Sequence, residues 1–112
     1  MNICVVGAGY VGLVAGVCLA ESGSDVVCVD VDERKVSMLT KGEVPIYERG
    51  LEELLERNLK EGRLRFSTTL TDGVKDAEIV FIAVGTPPKE SGEADLAHVE
   101  AAATGVAKRK KR

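Results

Sequence analysis

Apolar positions along this chain change their spacing several times, and each change marks the boundary of an element. Asn2 to Val6 is a short apolar run, read as a buried strand. From about Tyr10 to Ser22, apolar and small residues occupy nearly every position around a helix. That run predicts a well-buried helix. Gly23 and Ser24 end it. Asp25 to Asp30 carries Val26, Val27 and Val29 and predicts a second strand. Asp32 reads as a helix N-cap, with the helix running to about Thr40.

After a loop from Lys41 to Gly50, Leu51, Leu54, Leu55 and Leu59 fall at amphipathic helical spacing, predicting a helix over Leu51 to Glu61 closed by Gly62. Leu64 to Ser67 predicts a third strand and Leu70 to Lys75 a short helix. Glu78 to Val84, EIVFIAV, is the most strand-like run in the chain. Gly85-Thr86-Pro87-Pro88 stops it, because proline cannot donate to a ladder. Residues 89–95 are a polar loop, and a last helix begins at Leu96. Strands alternating with helices imply an α/β fold, a parallel sheet covered on both faces. Right-handed crossovers favour the strand order 3-2-1-4, the first half of a doubly wound, Rossmann-like sheet. Residues 1–112 are expected to form one such domain, cut short at its C-terminal end.

The turn between the first strand and the first helix reads Gly7-Ala8-Gly9-Tyr10-Val11-Gly12. A glycine triplet of this spacing is weak by itself, but here it follows a strand, opens a helix and is answered by Asp30 at the end of the next strand. Each residue type has a task. Gly7 permits the tight turn, Gly9 lets a pyrophosphate approach the backbone, and Gly12 lets helix and strand pack closely. The helix N-terminus offers N–H groups and a partial positive charge to phosphate. Asp30 is placed to accept hydrogen bonds from ribose hydroxyls and to repel a 2′-phosphate, which favours NAD over NADP. Arg34 and Lys35 complicate that choice, since a nearby cation tolerates such a phosphate. Lys35 stands in the first helical turn, where the dipole disfavours a cation. It is either recruited to the ribose or phosphate, or is a solvated surface lysine. At the switch point beside strand one, Thr86 either places a hydroxyl near the dinucleotide or simply helps stop the strand.

Charge is uneven. The net charge is −3, yet Lys108 to Arg112 contributes five positive charges, leaving −8 on residues 1–107. A broad nucleic-acid-binding face is therefore not expected. No apolar run approaches the roughly 18–20 residues that span a bilayer, so no membrane partner is expected either. The N-terminus lacks the basic region of a secretory signal, which leaves the cytoplasm as the expected compartment. Cys4, Cys18 and Cys28 have neither C-x-x-C spacing nor a neighbouring histidine. They read as small buried core residues rather than metal ligands or a catalytic thiol, and no metal is expected.

GAGYVGL, the strand ending VDVD, PIYERGLEELL, FIAVGTPP and GEADLAHVE occur in order. Together they resemble the N-terminal part of the UDP-glucose/GDP-mannose dehydrogenase family, over Met1 to about Ala107. The resemblance implies an oxidoreductase that converts a nucleotide-sugar alcohol to a carboxylate using two NAD per turnover, as a homo-oligomer at full length. By position, Val11 looks like the family's backbone contact to the pyrophosphate. Asp30 looks like its ribose acid, Lys35 a second NAD contact, and Thr86 the contact toward the nicotinamide end. Tyr10 packs beside the pyrophosphate turn. Arg49 stands where the family commonly has proline, removing a rigid helix start. The thiol nucleophile, its helpers and the sugar-binding residues have no match in this sequence, so no catalytic residue is expected here. The alternative is an NAD-binding module without catalysis, or the equivalent part of an enzyme acting on GDP-mannose or a UDP-amino sugar. Tyr47 and Glu48 read as a tyrosine packed on the following helix and a solvated glutamate, with a place near the cofactor cleft as the alternative. His98 reads as a solvent-facing helix residue and the basic tail as a solvated helix end.

Overall fold

The computed structural model describes residues 1–44, 48–84 and 97–109. Four strands, β1 (Asn2–Val6), β2 (Asp25–Val29), β3 (Leu64–Ser67) and β4 (Ile79–Ile82), form one parallel sheet in the order β3-β2-β1-β4. That is the order expected from right-handed crossovers. The helices are α1 (Tyr10–Glu21), α2 (Glu33–Thr40), α3 (Leu51–Lys60), α4 (Leu70–Val74) and α5 (Ala97–Arg109). Elements fall within one or two residues of their predicted bounds. β4 is shorter than its apolar run, ending at Ile82 rather than Val84.

Strand alternation divides the interior into two cores, as a pleated sheet requires. Ile3 and Val5 of β1, Val26 and Cys28 of β2, and Leu64 and Phe66 of β3 meet Leu13 and Val17 of α1, Leu39 of α2 and Leu55 of α3. Cys4, Val6 and Val29 point the other way, against Val74 of α4, with Ala102 and Val106 of α5 packed alongside. Leu13, Leu39 and Leu55 are fully buried. Each such side chain stabilises the fold by about 1.5–3 kcal/mol relative to exposure.

Two expectations are corrected. The first helix keeps one open side: Tyr10, Val11, Cys18 and Glu21 are exposed, and its inner side is formed by Gly12, Leu13, Gly16, Val17 and Ala20. An apolar sequence on all sides of a helix cannot say which side meets the sheet. Cys18 therefore lies on the outer face, and only Cys4 and Cys28 are core thiols. Burial pushes Cys4 up to about 11 and Cys28 up to about 12.

A buried polar link fixes α3 beside α1. Asn58, fully buried, donates to Glu21 at 3.0 Å and to the Leu54 carbonyl at 2.8 Å. Its carbonyl accepts from Arg63, whose Nε also reaches the Ala20 carbonyl at 3.0 Å. With every polar atom partnered, this asparagine specifies the approach of the helices without a desolvation penalty.

Candidate functional site

The parallel sheet brings the C-terminal ends of its strands to one edge, where a parallel α/β sheet presents ligand sites. At that edge Gly7 continues the ladder by donating to the Val29 carbonyl at 2.7 Å. It then turns with φ +108°, a conformation that favours glycine. A Cβ on Gly7 would lie 2.6 Å from the Ala83 carbonyl oxygen, beyond the end of β4. A Cβ on Gly12 would fall on the Gly7 carbonyl itself. These two glycines are required by the fold.

Gly9 differs from both. A Cβ there meets nothing within 4 Å, and its φ of −72° is open to any residue. The space beside Gly9 is open, and the fold itself does not use it. Gly9 is the N-cap of α1, its carbonyl accepting the first helical bond from Leu13 at 2.8 Å. Helix geometry leaves the N–H groups of the first turn, through Tyr10 and Val11, without an intrahelical acceptor. The structure thus joins the donors, the partial positive charge and the open backbone that a pyrophosphate needs.

Asp30 follows directly on β2. Its Oδ2 accepts the Ala8 N–H at 2.9 Å and its Oδ1 accepts the Asp32 N–H at 2.9 Å. Lys35 Nζ lies 3.6 Å from the same Oδ2. Asp32 caps α2 as predicted, its side chain accepting the Lys35 N–H at 3.1 Å. The cation that the helix dipole disfavours is held by Asp30.

A cavity of about 450 Å³ opens beside Gly7 and Asp30. It is mostly apolar, with Val6, Val29 and Leu70 in its wall and Val31, 89% exposed, at its rim. Thr68, Val84, Ala101 and Ala102 complete it. None of the three cysteines lines it. Sequence reasoning missed Val31, Thr68 and Leu70. Thr68 and Leu70 lie just past β3, so the shared edge of strand ends was the signal that could have found them. Ala101 and Ala102 come from a helix with no motif to mark them.

Tyr10 donates its hydroxyl proton to Glu48 at 3.0 Å. That bond, with the charge of the glutamate, raises the Tyr10 hydroxyl above its ordinary range. Glu48 is exposed but bonded, so it ties the segment before α3 to the start of α1. Thr86 and Tyr47 lie outside the described residues, as do Gly85 to Pro88, the loop 89–95, the side chain of His98 and residues 110–112. Among the described residues, no three histidine, cysteine or carboxylate side chains could hold a metal together. No helix among them is long and apolar enough to cross a membrane.

A β3-β2-β1-β4 parallel sheet, a glycine turn into the first helix and an acid after the second strand define a Rossmann-type dinucleotide-binding domain. The chain belongs to the UDP-glucose/GDP-mannose dehydrogenase family, whose NAD binding domain matches residues 1–112. NAD is therefore its cofactor, and the open turn and the Asp30 carboxylate fit it. The UDP-glucose 6-dehydrogenase of Pseudomonas aeruginosa PAO1 is 55% identical over 103 residues, covering 92% of this chain and 23% of that protein. UDP-glucose 6-dehydrogenase YwqF of Bacillus subtilis 168 is 51% identical over 112 residues, covering 100% of this chain and 26% of its own. A solved ternary complex of GDP-mannose dehydrogenase from Pseudomonas aeruginosa superposes with a TM-score of 0.93 at 38% identity, over 97% of this chain and 25% of that one. The chain spans about a quarter of the length of these relatives.

Proposed function

We propose that this chain is the cofactor-holding part of a UDP-glucose 6-dehydrogenase-type oxidoreductase, which oxidises UDP-glucose to UDP-glucuronate with two NAD per turnover in the cytoplasm. The observation that carries the cofactor site is the open space at Gly9 beside a helix start, with Asp30 anchored across the turn. NAD, when bound, supplies the hydride acceptor. The chain's own work is to bind and orient. Gly7 and Gly12 shape the turn, Gly9 leaves room for phosphate, and the main chain at Tyr10 and Val11 donates to it. Asp30 accepts from the ribose and Lys35 stands at the same corner, and by the family resemblance Thr86 is assigned the contact to the nicotinamide end. Val31, Thr68 and Leu70 offer the apolar slot that an adenine ring requires.

UDP-glucose is favoured over GDP-mannose or a UDP-amino sugar by the identities of 55% and 51% to UDP-glucose 6-dehydrogenases, against 38% to the GDP-mannose enzyme. Two experiments separate the layers of the proposal. Calorimetric titration with NAD tests the cofactor site, and saturable one-to-one binding is expected. Initial rates of NADH formation by the full protein, with UDP-glucose and with GDP-mannose, test the substrate. A preference for GDP-mannose, or NAD binding without turnover of either sugar, overturns the assignment to UDP-glucose.

A further inference from the structure

We infer that Glu48 is a positioning residue for the cofactor: by holding the Tyr10 hydroxyl, it keeps the Tyr10 ring drawn toward α3 and clear of the open space beside Gly9. This role rests on the cofactor site proposed above and adds to it a residue that acts through another side chain. Every Cα–Cβ bond of a helix tilts toward its N-terminus, so a long side chain on the first residue leans out past the helix start. Tyr10 is that residue in α1, directly after Gly9. It is 48% exposed, so packing alone leaves the direction of its ring open. A phenol swung over the turn would stand where a phosphate has to approach.

Glu48 fixes that direction. Its Oε2 accepts the Tyr10 hydroxyl proton at 3.0 Å, from 38 residues away in the chain. Glu48 itself stands on a firm base. Its carbonyl accepts the Leu51 N–H at 3.1 Å, closing a turn in which Gly50 takes φ +83°. Leu51 is buried at the start of α3, and α3 is locked to α1 by the Asn58 bond to Glu21. With the hydroxyl so held, a Cβ on Gly9 meets nothing within 4 Å, and Tyr10 takes no part in the wall of the cavity beside Gly7 and Asp30. A bond to a carboxylate is stronger than one between neutral groups, which suits it to hold a ring that packing does not. The charge of Glu48 by itself disfavours an anion nearby, so its benefit to cofactor binding comes only through Tyr10.

The test is NAD titration and initial-rate kinetics with the full protein carrying this sequence. Glu48→Ala should weaken NAD about fivefold, raising KM for NAD and leaving kcat at saturating cofactor unchanged. Tyr10→Phe, which keeps the ring and loses the hydroxyl, should do the same. Glu48→Gln keeps an acceptor and should restore affinity to within about twofold of the native value. In a Tyr10→Ala background, with no ring to hold, Glu48→Ala should change nothing further. A loss that persists in that background overturns the inference, as does a Glu48→Gln variant as weak as Glu48→Ala. So does a Glu48→Ala variant that binds NAD as well as the native protein, or more tightly. Should Glu48→Ala fail to fold, Tyr10→Phe decides by the same comparison. A native protein that binds no NAD removes the cofactor reading instead, a separate and recognisable result.

Discussion

The Asp30 carboxylate accepts a 2.9 Å hydrogen bond from the main-chain N–H of Ala8, 22 residues earlier in the chain. Ala8 is buried, so its N–H has no ready access to water. One side chain therefore holds the glycine turn in place and lies at the edge where the strands end. Asp30→Ala should lower stability by about 1–3 kcal/mol, the cost of an unsatisfied buried donor, and weaken NAD by about tenfold or more. Thermal melts and NAD titration measure the two effects. A variant that keeps its melting temperature would show that Ala8 finds another acceptor.

Gly9 and Gly12 should separate binding from folding. Gly9→Ala adds a methyl group into open space at an unstrained φ, so it should cost under about 1 kcal/mol, mainly from its N-cap position. Cofactor affinity should nevertheless fall, because the methyl occupies the phosphate approach. Gly12→Ala drives a methyl onto the Gly7 carbonyl and should destabilise by about 1–3 kcal/mol or more. Equal loss of stability in both variants would contradict the division of labour between these glycines.

Thiol labelling should follow burial. Cys4 and Cys28 are buried, and their thiols are pushed up to about 11 and about 12, so neither offers thiolate near neutral pH. Cys18 is exposed. Iodoacetamide at pH 8 should modify one thiol per native chain, and Cys18→Ser should take no label until the protein is unfolded. Mass spectrometry of the labelled chain reads the count directly.

Arg65 and Asp72 form a two-pronged surface pair at 2.8 and 3.3 Å. The guanidinium hydrogen bond holds the Asp72 carboxyl below its ordinary value of 3.8. A depressed carboxylate contributes stability that is fully present above pH 3.8 and is lost as pH falls through the lower folded value. Both side chains are substantially exposed, so Asp72→Asn should cost only about 0–1 kcal/mol at neutral pH. The difference between the native and variant chains should shrink as pH falls below 3.8, as followed by denaturant melts.

Ile79 and Phe81 of β4 are 38% and 44% exposed. They pair with Ile3 and Val5 and so lie on the α1 side of the sheet. Among the described residues β4 pairs with β1 alone. An apolar strand edge of this kind templates association. Sedimentation of the 112-residue chain should show association that grows with concentration, and Phe81→Lys should reduce it. A single monomeric species at every concentration would dismiss this expectation.

The amino-acid sequence by itself determined the element order, the strand order and the glycine-turn-plus-acid site. These follow from local rules: Gly7 for the turn, Asp32 for the cap, β-branched runs for strands, and crossover handedness for 3-2-1-4. Tertiary structure alone decided which side of α1 faces water, because an apolar helix has no marked face until a sheet covers one. Cys18 moved to the surface for that reason. It also decided what holds Tyr10, since Glu48, 38 residues on, reaches its hydroxyl only in the folded chain. The cavity wall came last. Val31, Thr68, Leu70 and Ala101 are unremarkable in sequence, and they meet only because every strand of a parallel sheet ends at the same edge.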